Sequence, residues 1–184
     1  MVLTKEETIA ALQNEARLVL HLMSKIEPSM LDYRPSPKQR SLLELCRYFV
    51  PMAPVQLQFV VAGNFTMESW IPAWSAAAAA ANAMNLEEVK AALAKQHALF
   101  AELLSPCSDS DFRAEIEMFG NRATRGAWIV RLPLTHFAAY RMQLFLYLKA
   151  CGREELNTMN LWAGVDSAAG PPPIIQNRAS QASG

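Results

Sequence analysis

Apolar residues recur at helical spacing over four long stretches of this chain, separated by segments in which proline, glycine and small polar residues gather. In the first stretch Ile9, Leu12, Ala16, Val19, Leu20 and Met23 share a face. Thr4 and Glu7 have the spacing of a capping box, so a helix is predicted over 5–26. Pro28, Pro35 and Pro37 make 27–40 an irregular connection, because proline lacks the amide proton and pushes the preceding residue toward extended backbone. Ser41 and Glu44 repeat the capping pattern and open a second helix carrying Leu42, Leu45 and Phe49, which Pro51 and Pro54 are expected to kink or cut short. Over 62–84 Gly63 and Pro72 interrupt the pattern; the alanine run 76–81 predicts a short helix there, with a long connection as the alternative. Asn85 and Glu88 start a third helix, expected to run to Leu104 and to be broken by the polar segment 105–109. Phe112, Ala114, Ile116 and Met118 then alternate with charged residues, the period of a short strand, and Gly120-Asn121 reads as a turn. Thr124 caps a fourth helix reaching Cys151, bent by Pro133 and ended by Gly152. The fold class that follows is all-α: a four-helix bundle with long connections and one short extended segment or small hairpin before the last helix. It occupies 1–164. The stretch 165–184, rich in Ala, Ser, Gly and Pro, is expected to be a poorly ordered tail, with Pro171-Pro172-Pro173-Ile174-Ile175 part of a free tail rather than a docking segment.

At 184 residues and 52% hydrophobic content the chain has the material for a real core. Its formal net charge is zero, which gives no general attraction to nucleic acid or to an anionic membrane, and no nucleic-acid-binding motif is present. No uncharged apolar run of about 18 residues is recognised, so no membrane-spanning segment is expected. Acids at positions 6 and 7 argue against a secretory signal. Cys46, Cys107 and Cys151 are odd in number and form no CxxC pair, the pattern of a reduced, cytoplasmic protein; Cys46 and Cys151 read as packing residues.

The run His136-Phe137-Ala138-Ala139-Tyr140-Arg141-Met142-Gln143 carries the candidate chemistry. His136 and Tyr140 lie one helical turn apart with Gln143 just beyond, on a face shared with Ile129, Leu132 and Tyr147. The opposite face, with Leu134, Ala138, Arg141, Phe145 and Lys149, is also largely apolar. The helix is therefore either central in the bundle or in contact with a second subunit, and a homodimer is expected. On the second helix Ser41, Glu44, Leu45, Tyr48, Met52 and Val55 group together, which would turn Tyr48 toward His136 and Tyr140. His136 is then expected to hydrogen-bond Tyr48 or Tyr140, each satisfying the other, with a Tyr–His general acid/base pair as the lesser alternative. His21 and His97 are expected at solvent or helix edges. From Met118 to Arg153 there is no Asp or Glu, yet Arg122, Arg125, Arg131, Arg141, Lys149 and Arg153 fall there. Ordinary pairing with Asp109, Asp111, Glu115, Glu117 or the third helix is expected. The alternative is an anion site at the start of the fourth helix, with Arg125 projecting on the His136 face.

Four segments together resemble the DinB/YfiT-like family of four-helix proteins, over roughly residues 4–164. Tyr33-Arg34-Pro35-Ser36-Pro37-Lys38-Gln39-Arg40-Ser41-Leu42 is similar to that family's loop into its second helix, and Leu45-Cys46-Arg47-Tyr48 to the segment that usually ends in His. His136 with Tyr140-Arg141-Met142-Gln143 resembles the H-x3-H-R-x-Q element, and Tyr147-Leu148-Lys149-Ala150-Cys151-Gly152 the turn that follows it. The resemblance implies three His ligands for a divalent metal such as Ni or Zn, at positions that here carry Tyr48, His136 and Tyr140. With only His136 remaining, no tightly held metal is expected, since catalytic zinc normally takes three protein ligands; Ni or Zn at His136, with Glu44 as a candidate carboxylate ligand, is the alternative. The expectation is a DinB-like protein without the family's metal, in which Tyr48, His136, Tyr140, Gln143, Arg125 and Glu44 form a pocket for a small molecule. The rival readings are a divergent transferase acting on a low-molecular-weight thiol and a non-catalytic dimeric interaction module.

Overall fold

Four of the five long helices begin where a side chain takes up an amide proton that the first turn leaves free. The computed structural model describes residues 3–167, so what is expected of 168–184, including the Pro171–Ile175 stretch, lies outside the described residues. α1 spans Lys5–Met23 behind a Thr4/Glu7 capping box, with Thr4 Oγ1 accepting from the Glu7 amide at 3.1 Å and Glu7 Oε2 accepting from the Thr4 amide at 2.8 Å. It stops three residues short of Ile26, because the amides of Lys25 and Ile26 fold back onto the carbonyls of Leu22 and Met23. A single turn at Pro28–Met30 punctuates the connection that follows.

α2 (Leu42–Ala62) starts on the Ser41/Glu44 box and ends at Gly63, whose φ of 70° is left-handed. Pro51 and Pro54 lie inside it without ending it. Pro54 cannot donate to the carbonyl of Val50; the Gln96 side-chain amide does so instead, at 2.9 Å, and also reaches the Phe49 carbonyl at 3.1 Å. By length and composition α2 is long and apolar enough to cross a membrane, although Glu44 and Arg47 interrupt its first turns, and 56% of the qualifying window is buried inside the bundle.

The alanine run belongs to α3 (Met67–Asn82), a full helix rather than a short one, capped by Thr66 accepting from the Ser69 amide at 3.2 Å. Alanine's helix preference carries the helix past Pro72. α4 (Leu86–Leu104) begins on the Asn85/Glu88 box. A short α5 (Asp109–Arg113), boxed by Ser108 and Asp111, draws Phe112 and Arg113 out of the expected strand. The strand is shorter: β1 (Glu115–Met118) pairs antiparallel with β2 (Asn121–Thr124), Met118 opposite Asn121. The turn is therefore Phe119-Gly120, with φ values of 52° and 72°, rather than Gly120-Asn121. The fourth predicted helix runs as α6 (Arg125–Ile129), a wider π-helical stretch (Val130–Leu134) holding Pro133, and α7 (Thr135–Ala150).

α1, α2, α4 and α7 form the bundle, and α3 lies along α2. Phe137 of α7 sits at its centre, stacked on Phe49 at 5.9 Å and edge-on to Phe100 at 6.2 Å. Arg141 does not point outward with the second face of α7. It is 2% exposed, paired with Glu15 of α1 at 2.9 and 3.2 Å, bonded to the Leu161 carbonyl and laid over the Trp162 ring at 4.8 Å. The outward residues of α7 include Met142 and Leu146 instead.

Candidate functional site

The crossing of α2 and α7 brings Tyr48 and Tyr140 together, ring centroids 4.7 Å apart and planes tilted by 60°. Over this pair lies a side chain that periodicity does not single out. Arg40, just before the Ser41 cap, places its guanidinium carbon 4.2 Å from the Tyr48 centroid and 5.9 Å from that of Tyr140. Its backbone is held from α7: the Tyr147 hydroxyl donates to the Arg40 carbonyl at 3.2 Å, and Gln143 donates to that hydroxyl at 2.7 Å. Gln143 thus braces Arg40 through Tyr147. Burial, with the neighbouring Tyr140 hydroxyl adding to it, pushes the Tyr48 phenol up to about 12, so it is neutral at physiological pH.

His136 bonds neither tyrosine. Its ring stands edge-on to Tyr140 at 6.1 Å, and its Nδ1 lies 2.7 Å from Nε2 of Gln56, a buried side chain of α2. Gln56 as donor makes Nδ1 the acceptor and places the imidazole proton on Nε2, an assignment that rests on the amide orientation. Burial holds the imidazole below its ordinary value of 6.5. Gln56 Oε1 is buried and has no partner among the described residues.

Glu44 is drawn to its own helix end. The Ser41 amide donates to it at 2.7 Å and Arg34 pairs with it at 3.4 Å, which together hold its carboxyl below the usual range. Arg125 is not near His136. It closes the far end of α2, donating to the Val60 carbonyl at 3.1 Å and pairing with Asp111 at 3.9 Å, so the anion site at the start of the fourth helix does not assemble. Arg122 pairs loosely with Glu117 at 4.0 Å, and Arg153 pairs with Glu27 and Glu155. His97 is exposed, as expected, and is met by Gln13, while His21 is half-buried, bonded by Asn160 and 3.7 Å from Asp166.

A cleft of about 460 Å³ opens beside Tyr48, and of the six residues expected to share a pocket it takes in Glu44 and Tyr48. Arg40, Glu44, Arg47 and Tyr48 line it from the start of α2, and Trp74, Ala78, Ala81 and Asn82 from one face of α3. Tyr48 and Trp74 meet edge to face at 5.6 Å. His136, Tyr140, Gln143 and Arg125 do not line it. Only the i, i+4, i+7 spacing of Trp74, Ala78 and Ala81 would have betrayed the α3 wall in advance.

A divalent metal fits these residues poorly. Tyr48 is a neutral phenol, His136 Nδ1 faces an amide, and the Arg40 cation lies over both tyrosines. Among the described residues, no three or more His, Cys, Asp and Glu side chains group in a way that would hold a metal ion.

No family model and no curated protein matches this chain. Solved structures share its fold, two of them DinB-like proteins. A DinB-like protein from Bacillus subtilis, YjoA, superposes with a TM-score of 0.61 at 17% identity, covering 82% of this chain and 94% of that one. A DinB-like protein from Bacillus cereus does so at 0.63 and 17% identity, covering 83% and 95%. The fold is therefore DinB-like, and at this identity the likeness speaks to fold alone.

Proposed function

We propose that this DinB-like chain works without a resident metal and holds a small molecule in the cleft beside Tyr48. The observation that carries this reading is Arg40, a permanent cation 4.2 Å from the ring of a tyrosine that stands where the family resemblance implies a metal ligand. A divalent ion shared by Tyr48 and Tyr140 would meet like charge at close range, and a phenol that keeps its proton to about 12 gives it no anionic partner. The test is metal analysis by mass spectrometry of protein purified without a polyhistidine tag. Ni, Zn and Fe all well below one per chain is the expected result. Near-stoichiometric metal that disappears in His136→Ala overturns the reading and favours the metal-dependent thiol transferase.

The compartment proposed is the cytoplasm, in keeping with three free thiols. A second copy of the chain remains the proposed partner, across the face of α7 where Met142 and Leu146 are 37% and 56% exposed. Light scattering tests it: a monomer at every concentration rejects the dimer.

A further inference from the structure

Two arginines enter the cleft beside Tyr48, and neither forms an ion pair among the described residues. The Arg40 guanidinium carbon sits 4.2 Å from the Tyr48 ring centroid, a cation–π contact that orders it, and its N–H groups have no hydrogen-bond partner among the described residues. Arg47 uses Nε to donate to the Met84 carbonyl at 2.7 Å, and its terminal nitrogens have no protein partner among the described residues. The one acid in the lining, Glu44, is already engaged by the Ser41 amide and by Arg34. The cleft therefore has two cations available to a ligand, each with the fork geometry that suits a carboxylate. Its other wall is mostly apolar: the indole of Trp74, then methyl groups at Ala78 and Ala81, with the Asn82 amide at its end. The alanine run keeps that wall thin enough for a flat group to lie between α2 and α3.

Resting on the small-molecule reading above, we infer that the ligand is a planar aromatic carboxylate, its ring against Trp74 and the alanine face of α3 and its carboxylate on Arg40 and Arg47. A volume of about 460 Å³ holds one or two fused rings with room to spare. A single charge is favoured over a phosphate dianion because Glu44 stands in the same lining and repels additional negative charge.

The experiment is calorimetric titration of the full chain with 2-naphthoate, 2-naphthol and phenyl phosphate. Naphthoate is expected to bind with Kd of about 1 mM or tighter, and naphthol at least about tenfold more weakly. Arg40→Gln and Arg47→Gln should each weaken naphthoate by about tenfold or more. Because Arg47→Gln also removes the bond to Met84 and weakens that corner, Ala78→Leu serves as the second variant: it fills the cleft without touching a charge and should abolish binding. Equal binding of naphthol and naphthoate, lost in Ala78→Leu but indifferent to both arginines, overturns the carboxylate and leaves the cleft. Naphthoate binding that survives Ala78→Leu overturns the cleft itself. Tighter binding of phenyl phosphate, or no heat from naphthoate, overturns the ligand class.

Discussion

Arg141 joins three parts of the chain through one guanidinium: α7 by its own backbone, α1 through Glu15, and the Leu161–Trp162 segment through a carbonyl and a ring. At 2% exposure its charge is stabilised only by those partners. Arg141→Ala strands a Glu15 carboxylate that is itself 16% exposed, and a loss of roughly 3–5 kcal/mol is expected in urea unfolding. Trp162 fluorescence should shift as its stacking partner goes. A loss below about 1 kcal/mol would mean that the pair contributes no more than a surface salt bridge. The residue scale is also where the sequence misleads. The same arginine is expected to pair with an acid of the preceding segment or the third helix, whereas its acid, Glu15, lies 126 positions away on α1.

At the scale of elements, α2 holds two prolines at a helical interior that normally rejects them. Gln96 reaches across from α4 to the Val50 and Phe49 carbonyls, so the repair of α2 is built into a different helix. Gln96→Leu should cost about 1–3 kcal/mol, the range for leaving a buried acceptor unmet. In a Pro54→Ala background, where the helix can satisfy Val50 itself, the same change should cost less by at least about 0.5 kcal/mol. Strict additivity in that double-mutant cycle would refute the repair. The hairpin makes a related point. Its alternation is legible in Ile116 and Met118, but the Ser108/Asp111 box places Phe112 in α5, and the pairing of Met118 with Asn121 puts the turn at Phe119-Gly120.

For the whole molecule, the titrating groups define a pH window. His136 and His21 are held below 6.5, chiefly by burial, so the unfolded chain binds protons that the folded chain refuses. Their stabilising contribution is complete above 6.5 and declines as pH falls through the region below it. Glu44, Asp111, Glu155 and Asp166, lowered by hydrogen bonds to their carboxylates, add further loss as pH drops below their ordinary values of 4.5 and 3.8. On the alkaline side the signs reverse. Burial raises the Cys46 thiol from 9.0 and the Tyr48 phenol from 10.0, each to about 12, so stability falls as pH climbs past 9. Tm measured against pH should therefore be greatest between about pH 7 and 9, with a smaller acid decline in His136→Asn. An NMR titration placing His136 above 6.5 would reverse the sign of its part.

The sequence by itself determined where the long helices begin. A capping box joins residues three apart, so Thr4 with Glu7, Ser41 with Glu44, and Asn85 with Glu88 form the same bonds in almost any fold that makes the helix. Helical periodicity also placed Tyr48 and Tyr140 on faces that meet, since the 3.6-residue repeat is local. Only the tertiary structure decided what those faces do. Gln56 reaches His136 across 80 positions, Arg125 reaches Val60 across 65, and Arg40 comes to rest over two tyrosines because α7 grips its carbonyl. Such partners are set by how helices cross and how far long side chains reach, and neither quantity is written in the spacing of residues along one element.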